Sequence, residues 1–135
     1  MGKEGELTQR GQGILLAKEA YAVQGAIFEV YRTMGSGFLE AVYQECLEQE
    51  LALRGIPFQS QVELDLVYKE VPLRQTYRAD LVCYSSILVE LKACRTFDPS
   101  HRAQVINYLR ATGLHLGLLV NFWSVPKVTI ERLVL

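Results

Sequence analysis

Three charged residues in the middle of the chain, Asp80, Glu90 and Lys92, have types and spacing suited to metal and phosphate chemistry. Glu90 and Lys92 are two residues apart, about 6.5 Å along an extended strand, so both point to one face. Carboxylates that share a face repel each other unless a cation offsets their charge, and hard cations such as Mg²⁺ prefer oxygen ligands. The main-chain carbonyl of Leu91 is a further candidate ligand. A bound metal can activate water, and Lys92 can stabilise charge that develops on a phosphate.

Two neighbouring strands, residues 77–83 and 87–92, are predicted to carry this set by their alternating apolar residues. The opposite face then holds Asp80, Glu90 and Lys92. This register requires an odd number of residues in the connection around Ser85 and Ser86, or a bulge. The alternative is that these residues form a solvated strand edge without a chemical role. It stays open because a pattern as short as Asp80 with Glu90 and Lys92 recurs by chance. The residues expected to share one core face are Leu81, Cys83, Ile87, Val89 and Leu91.

The elements around these strands follow from periodicity and capping signals. Helical spacing predicts two helices, and Asp98-Pro99 marks the start of a third that runs to about Thr112 and is followed by Gly113. The predicted order is α-α-β-β-β-α-β-β with one helical crossover, which favours an α/β (α+β) fold whose central mixed sheet is flanked by helices. Residues 1–13 are predicted to be a flexible tail and residues 14–135 a single domain. The remaining predicted segments are helices 18–34 and 38–54, strands 62–67, 116–122 and 128–134, and a hairpin turn over residues 68–73.

Composition limits the classes of function. The chain has 135 residues, half of them hydrophobic, so one domain with a real core is expected. A net charge of −1 gives no overall attraction for nucleic acid, so any such binding must come from a local patch. An odd count of three cysteines predicts reduced thiols, and the sequence shows no secretory signal or membrane-spanning run. A cytoplasmic protein without a membrane partner is expected.

Charge is distributed unevenly along the chain. Residues 92–110 hold four basic residues and one acidic residue, whereas residues 38–54 hold four acidic residues and one basic residue. The basic segment can hold a phosphate backbone, or it can be an ordinary solvated helix face. The acidic segment argues against a surface that wraps a duplex.

Several segments together are more specific than the charged residues alone. They are GFLEAVY at 37–43, LRGIPF at 53–58, YRADL at 77–81, VELKA at 89–93, Gln104 with Tyr108, and GLLVNF at 117–122. With these segments the chain resembles the PD-(D/E)XK nuclease superfamily and, within it, the GxxExxY protein family. The resemblance covers about residues 18–135. Ala79 stands where the superfamily name has proline, and Tyr31 and Ser36 also depart from the expected pattern.

The resemblance implies a restriction-endonuclease-like fold with an αβββαβ core. It also implies hydrolysis of phosphodiester bonds in DNA or RNA, with Mg²⁺ or Mn²⁺ as cofactor, and DNA is favoured over RNA as the partner. The implied roles are Asp80 and Glu90 as metal ligands, Lys92 as catalytic lysine and Glu40 as supporting carboxylate. Gln104 and Tyr108 are implied to lie beside the site, where they contact DNA or the lysine.

Plainer interpretations exist for each of these roles. Glu40 can simply stabilise the positive end of its helix, Gln104 can be a solvated helix residue, and Tyr108 can be a core aromatic. At the level of function, the alternatives are a non-catalytic nuclease-fold protein that binds nucleic acid or a protein partner, and a structural dimerisation module. Strand 128–134 is a candidate pairing edge for a homodimer.

Overall fold

A computed structural model describes the backbone of residues 2–135 and the side chains of residues 16–135. The element order in this part of the chain is the predicted α-α-β-β-β-α-β-β. The first helix, α1 (Gly2–Met34), includes backbone for which the sequence predicts a flexible tail. Because the side chains of residues 1–15 lie outside the described part, that tail remains a prediction. No helix in the described residues is long and apolar enough to cross a membrane.

Helix α1 packs beside α2 (Glu40–Leu53). Each helix turns a fully buried stripe towards the sheet, as the helical spacing predicts. Val23 and Ile27 belong to the stripe of α1, and Tyr43 and Leu47 to that of α2. Both helices therefore cover one face of the sheet, and their outer sides leave Tyr21, Phe28 and Leu53 exposed beside polar residues.

The strands β1 (Phe58–Tyr68) and β2 (Val71–Cys83) form a long hairpin. Its turn is Lys69-Glu70, and both residues have the positive φ that a tight hairpin turn requires. The hairpin turn predicted over residues 68–73 is present but shorter, because Pro72 lies within β2 instead of interrupting it. β3 pairs only with the far end of β2, so proline at this position removes no bond to β3.

The rest of the sheet is built around one crossover. β3 (Ile87–Lys92) pairs antiparallel with β2, and α3 (Pro99–Thr112) then leads to β4 (Leu116–Asn121), which pairs in parallel with β3. β5 (Thr129–Val134) pairs antiparallel with β4. The strand order is β1-β2-β3-β4-β5, so the sheet is mixed, as predicted, and β5 forms one of its edges.

Helix α3 begins and ends at the predicted residues. The Asp98 side chain accepts the Ser100 N–H at 2.8 Å, and Gly113 closes the helix in the left-handed conformation. The helix lies close to the sheet at Gly117 on β4. A Cβ atom on Gly117 would lie 2.8 Å from Cγ1 of Val105, so only glycine permits this approach.

Two hydrophobic clusters lie on opposite faces of the sheet. The cluster under α1 and α2 contains all five residues that were predicted to share a core face, and the other lies under α3. Ala79 belongs to the α3 cluster and Leu81 to the other, although regular alternation would put both on one face. β2 is therefore irregular at Asp80, and Gln61 on β1, in the gap between the paired residues on either side, has a φ of 51°.

Candidate active site

The candidate site lies where β2 and β3 diverge. The ladder of paired residues between these strands ends at Leu81 and Val89. Beyond that point, the carboxylate of Asp80 accepts the Leu91 N–H at 2.8 Å, and the Asp80 N–H donates to Oε1 of Glu90 at 3.2 Å. Side-chain bonds thus replace the backbone ladder and keep both carboxylates in the gap between the strands.

The connection between β2 and β3 meets the condition set by the sequence. It consists of three residues, Tyr84, Ser85 and Ser86, an odd number. Tyr84 and Ser85 have positive φ values of 55° and 54°, and the Ser86 N–H closes the turn on the carbonyl of Cys83 at 3.0 Å. An odd connection keeps Asp80 across from Glu90.

Burial and like charge dominate the electrostatics of the pair. Glu90 is only 6% exposed. Burial, followed by the charge of Asp80, raises the pKa of Glu90 to about 7, while the Tyr77 hydroxyl and Lys92 lower it by less. Burial also raises the pKa of Asp80, against smaller effects from neighbouring N–H groups and Lys92. Burial and mutual repulsion thus favour the protonated form of these groups, and positive charge beside them would favour their ionised form.

The donor atoms in this gap fit a hard divalent cation. The Leu91 N–H points at Asp80, and the N–H and C=O of one strand residue point to the same side, so the Leu91 carbonyl faces the gap too. No group of three or more His, Cys, Asp or Glu side chains in the described residues could hold a metal ion. The protein would thus supply two carboxylates and one carbonyl. Mg²⁺ commonly binds with so few protein ligands, because it keeps several of its waters.

Lys92 is the last residue of β3, on the same strand as Glu90. It is half-buried, and its charge lowers the pKa of Asp80, Glu90 and Glu40. Among the described side chains, the ion pairs do not include Lys92. Its ammonium group is therefore close enough to influence the carboxylates without being bound to one of them.

Asn121 holds the segment that follows Lys92. Its side chain is 1% exposed, donates to the Cys94 carbonyl at 2.7 Å and accepts the N–H groups of Cys94 at 3.2 Å and Trp123 at 3.0 Å. The Lys92 carbonyl accepts the Phe122 N–H at 3.0 Å in addition. These bonds tie the end of β3 to the end of β4 and so fix the backbone that carries the lysine.

Glu40 approaches the site from the first turn of α2. The residue is exposed, yet partial burial of its carboxyl group and the charge of Asp80 raise the pKa of Glu40, and Lys92 lowers it. Its carboxyl group is therefore within electrostatic reach of both residues. The N-cap residue Leu39 offers no side-chain cap, so Glu40 also lies at the positive end of the helix.

Tyr43 fixes the loop that precedes Glu40. Its hydroxyl donates to the Gly35 carbonyl at 2.6 Å and accepts the Phe38 N–H at 3.2 Å. Its buried ring stacks on Phe122 with 4.4 Å between ring centroids. Trp123 adds a bond from its indole N–H to the Phe38 carbonyl at 2.6 Å. The start of α2 is thus attached to the end of β4 and has a defined position relative to the site.

An open groove of about 710 Å³ lies between α2 and the hairpin beside Asp80. Gln44 spans it by donating to the Asp80 carbonyl at 2.9 Å. Four carboxylates and no basic residue line the groove, so its potential repels a polyanion. The lining residues are Glu40, Ala41, Gln44, Glu45, Glu48, Gln61 and Asp80.

Gln104 and Tyr108 lie one turn apart on α3. The Gln104 side chain donates to the Tyr108 hydroxyl at 3.2 Å. The Tyr108 ring stacks on Tyr77 of β2, with 10° between the planes. Gln104 and Tyr108 are therefore connected to the site through Tyr77, whose hydroxyl lies near Glu90.

Residues 17–133 match the sequence profile of a family described as the PD-(D/E)XK nuclease superfamily. The chain belongs to this superfamily. The match includes every candidate site residue, and it confirms the resemblance at the level of the superfamily. No curated protein matches the sequence.

A solved structure titled "Crystal structure of SSO0001" has a similar fold, with a TM-score of 0.55 and 20% sequence identity. The similarity covers 70% of this chain and 48% of that chain, so this PD-(D/E)XK domain spans about half of the length of that protein. At this identity the likeness concerns the fold alone. The predicted restriction-endonuclease-like α+β fold is thereby confirmed.

Three contacts in this PD-(D/E)XK site were not predicted from sequence. Gln44 had a usable signal, because it lies four residues after Glu40 on the same helix face. Gln61, whose side chain lowers the pKa of Asp80, had none, since its position depends on long-range strand pairing. The proximity of Tyr77 to the site could not be predicted, because regular alternation would place Tyr77 on the sheet face opposite to Asp80.

Proposed function

We propose that this PD-(D/E)XK protein is a Mg²⁺- or Mn²⁺-dependent nuclease that hydrolyses phosphodiester bonds in DNA or RNA, with DNA favoured as the partner. The main support is the reciprocal bonding of Asp80 and Glu90, which keeps two carboxylates together in a buried gap. Lys92 adds a cation that no described carboxylate binds. These groups have the chemistry needed to bind a divalent metal beside a phosphate.

Each residue would have a distinct task. Asp80, Glu90 and the Leu91 carbonyl would hold the cation, which when bound polarises a phosphate and lowers the pKa of water. Lys92 would orient the attacking water or stabilise the charge on the pentavalent phosphate. Glu40 would support the site from α2, and its proposed role is to orient water on the side of the groove.

A cleavage assay with matched variants tests the proposal. Wild type, Asp80→Ala and Lys92→Ala are incubated with single- and double-stranded DNA and RNA, with Mn²⁺, with Mg²⁺ and with chelator. We expect metal-dependent cleavage by the wild type and none by Asp80→Ala or Lys92→Ala, and the four substrates show which nucleic acid is cleaved. Asp65→Ala and Lys127→Ala, at exposed positions, should cleave like the wild type. Equal activity in all variants would identify a contaminant and leave the proposal without support.

The second candidate is a nuclease-fold protein that binds nucleic acid or a protein partner without cleaving. The observation that favours it is the small ligand set, since the described residues offer no cluster of three metal-binding side chains. Calorimetric titration with Mn²⁺ separates the two functions. Absence of metal binding, together with retained binding of an oligonucleotide, would favour the second.

Two narrower proposals accompany the main one. Membership of the GxxExxY family is supported by segment 37–43, in which Tyr43 bonds the loop before Glu40. A homodimer is supported by β5, which forms an edge of the sheet with unpaired backbone groups. Light scattering of the purified chain decides the second proposal, and a monomer at all concentrations would contradict it.

A further inference from the structure

Tyr77 has a buried hydroxyl group without a hydrogen-bond partner among the described residues. Its ring belongs to the cluster under α3 and stacks on Tyr108. An unpartnered buried hydroxyl costs free energy, and folded proteins rarely retain one without a reason. The Tyr77 hydroxyl can therefore take a new partner without losing an existing bond to another described residue.

The group beside this hydroxyl is the carboxyl group of Glu90. A tyrosine hydroxyl is protonated at neutral pH, so the Tyr77 hydroxyl can act as a hydrogen-bond donor. The hydroxyl lies close enough to the Glu90 carboxyl group to lower its pKa, but the geometry between them does not meet that of a formed hydrogen bond. Glu90 instead accepts the Asp80 N–H at 3.2 Å, and the Tyr77 hydroxyl has no other described acceptor.

We propose that Tyr77 is a positioning residue of the metal site, whose hydroxyl donates to Glu90 when a cation draws that carboxylate into its ligand position. One oxygen of Glu90 then faces the cation and the other is held by Tyr77. Partners of this kind commonly orient metal ligands in proteins. The inference rests on the proposed function, because it requires the Asp80 and Glu90 pair to bind metal.

The same arrangement gives Gln104 and Tyr108 a role that is different from contact with DNA or the lysine. Gln104 holds the Tyr108 hydroxyl, and the Tyr108 ring lies flat against Tyr77. The pair on α3 thus fixes the orientation of the Tyr77 ring, and with it the direction in which the hydroxyl points. Gln104 and Tyr108 act on Glu90 through Tyr77.

The test compares Tyr77→Phe with Tyr68→Phe, a matched control at an exposed tyrosine in the hairpin. Mn²⁺ affinity is measured by calorimetry, and thermal unfolding is measured without metal. Tyr77→Phe should bind Mn²⁺ about tenfold more weakly. Its metal-free unfolding temperature should be unchanged or higher, because the substitution removes an unpartnered hydroxyl. Tyr68→Phe should match the wild type in both measurements.

Equal Mn²⁺ affinity in Tyr77→Phe and the wild type would overturn the inference, whatever the unfolding temperature. If Tyr77→Phe does not fold, Tyr108→Leu takes its place, because it removes the ring that orients Tyr77 and retains the hydroxyl. Unchanged Mn²⁺ affinity in Tyr108→Leu would then overturn it. A wild type that binds no Mn²⁺ overturns both proposals, whereas Tyr77-dependent binding without cleavage overturns the nuclease function alone.

Discussion

Asp80 and Glu90 each bond to the backbone of the strand that carries the other. The carboxylate of Asp80 accepts the N–H of Leu91, the neighbour of Glu90, and the carboxylate of Glu90 accepts the N–H of Asp80. The two side chains therefore repel each other by charge while they fix each other's strands in place. Amide substitutions separate these effects, because an amide retains an acceptor oxygen without the charge.

The Asp80→Asn variant should lose metal binding and keep its fold. Asparagine can still accept the Leu91 N–H, and loss of one buried negative charge relieves repulsion with Glu90. We expect an equal or higher free energy of unfolding without metal. Mn²⁺ affinity, measured by calorimetry, should fall by more than about 100-fold, since even partners of metal ligands contribute about 10–100-fold.

Asp65→Asn, at an exposed position on β1, is the matched control for this substitution. It should leave both Mn²⁺ affinity and stability at wild-type values. Wild-type Mn²⁺ affinity in the Asp80→Asn variant would remove Asp80 from the ligand set.

The stability of the metal-free protein should fall as pH rises from 5 to 8. Folding raises the pKa of Glu90 from 4.5 to about 7, so the folded chain binds this proton more tightly than the unfolded chain. The resulting stabilisation is complete below pH 4.5 and is lost as pH rises through about 7. Denaturant unfolding of wild type and Glu90→Gln at several pH values measures it. A wild type and a variant with the same pH dependence would show that Glu90 titrates normally.

The Asn121→Ala variant should be strongly destabilised. It leaves both backbone groups of Cys94 and the N–H of Trp123 without their buried partner. At about 1 kcal/mol for each bond, the free energy of unfolding should fall by about 3 kcal/mol. Asn107→Ala, at an exposed position on α3, should change it by less than about 0.5 kcal/mol. A loss below about 1 kcal/mol in Asn121→Ala would mean that other contacts hold the end of β3.

Reversing charge in the acidic groove should strengthen binding of nucleic acid. Glu45 and Glu48 line the groove beside Asp80 and repel phosphates that approach from this side. The double variant Glu45→Lys, Glu48→Lys should bind a labelled oligonucleotide up to about tenfold more tightly at low salt, with a steeper salt dependence. Fluorescence anisotropy measures both effects.

The control for charge alone is Asp65→Lys with Glu70→Lys on the hairpin, which changes the net charge equally away from the groove. An equal gain in affinity for both double variants would show a general charge effect. In that case the result would contradict the expectation that nucleic acid binds next to the groove.

The order of helices and strands could be predicted because each element has a local signal. Alternation marks β3, and the Asp98-Pro99 pair marks the start of α3. The bounds of the hairpin could not be predicted in this way. Whether Pro72 ends a strand depends on which neighbours β2 has at that point, and this is a property of the whole sheet.

The site could be predicted only in part for the same reason. Strand alternation, with an odd number of residues in the Tyr84–Ser86 connection, was sufficient to predict that Asp80 lies opposite Glu90. The hydrogen bonds between Asn121 and Cys94 join residues 27 positions apart, so no local sequence pattern predicts them. Tyr77 reaches Glu90 only because β2 departs from regular alternation at Asp80.

Gly117 has a consequence for the site although it has no side chain to contribute. Val105 of α3 occupies the space that a Cβ atom on Gly117 would need. An added methyl group would force Val105 to shift, and Val105 and Tyr108 belong to the same helix, α3. The position of Tyr108 against Tyr77 therefore depends on the absence of a side chain at Gly117, on a strand that carries neither ring.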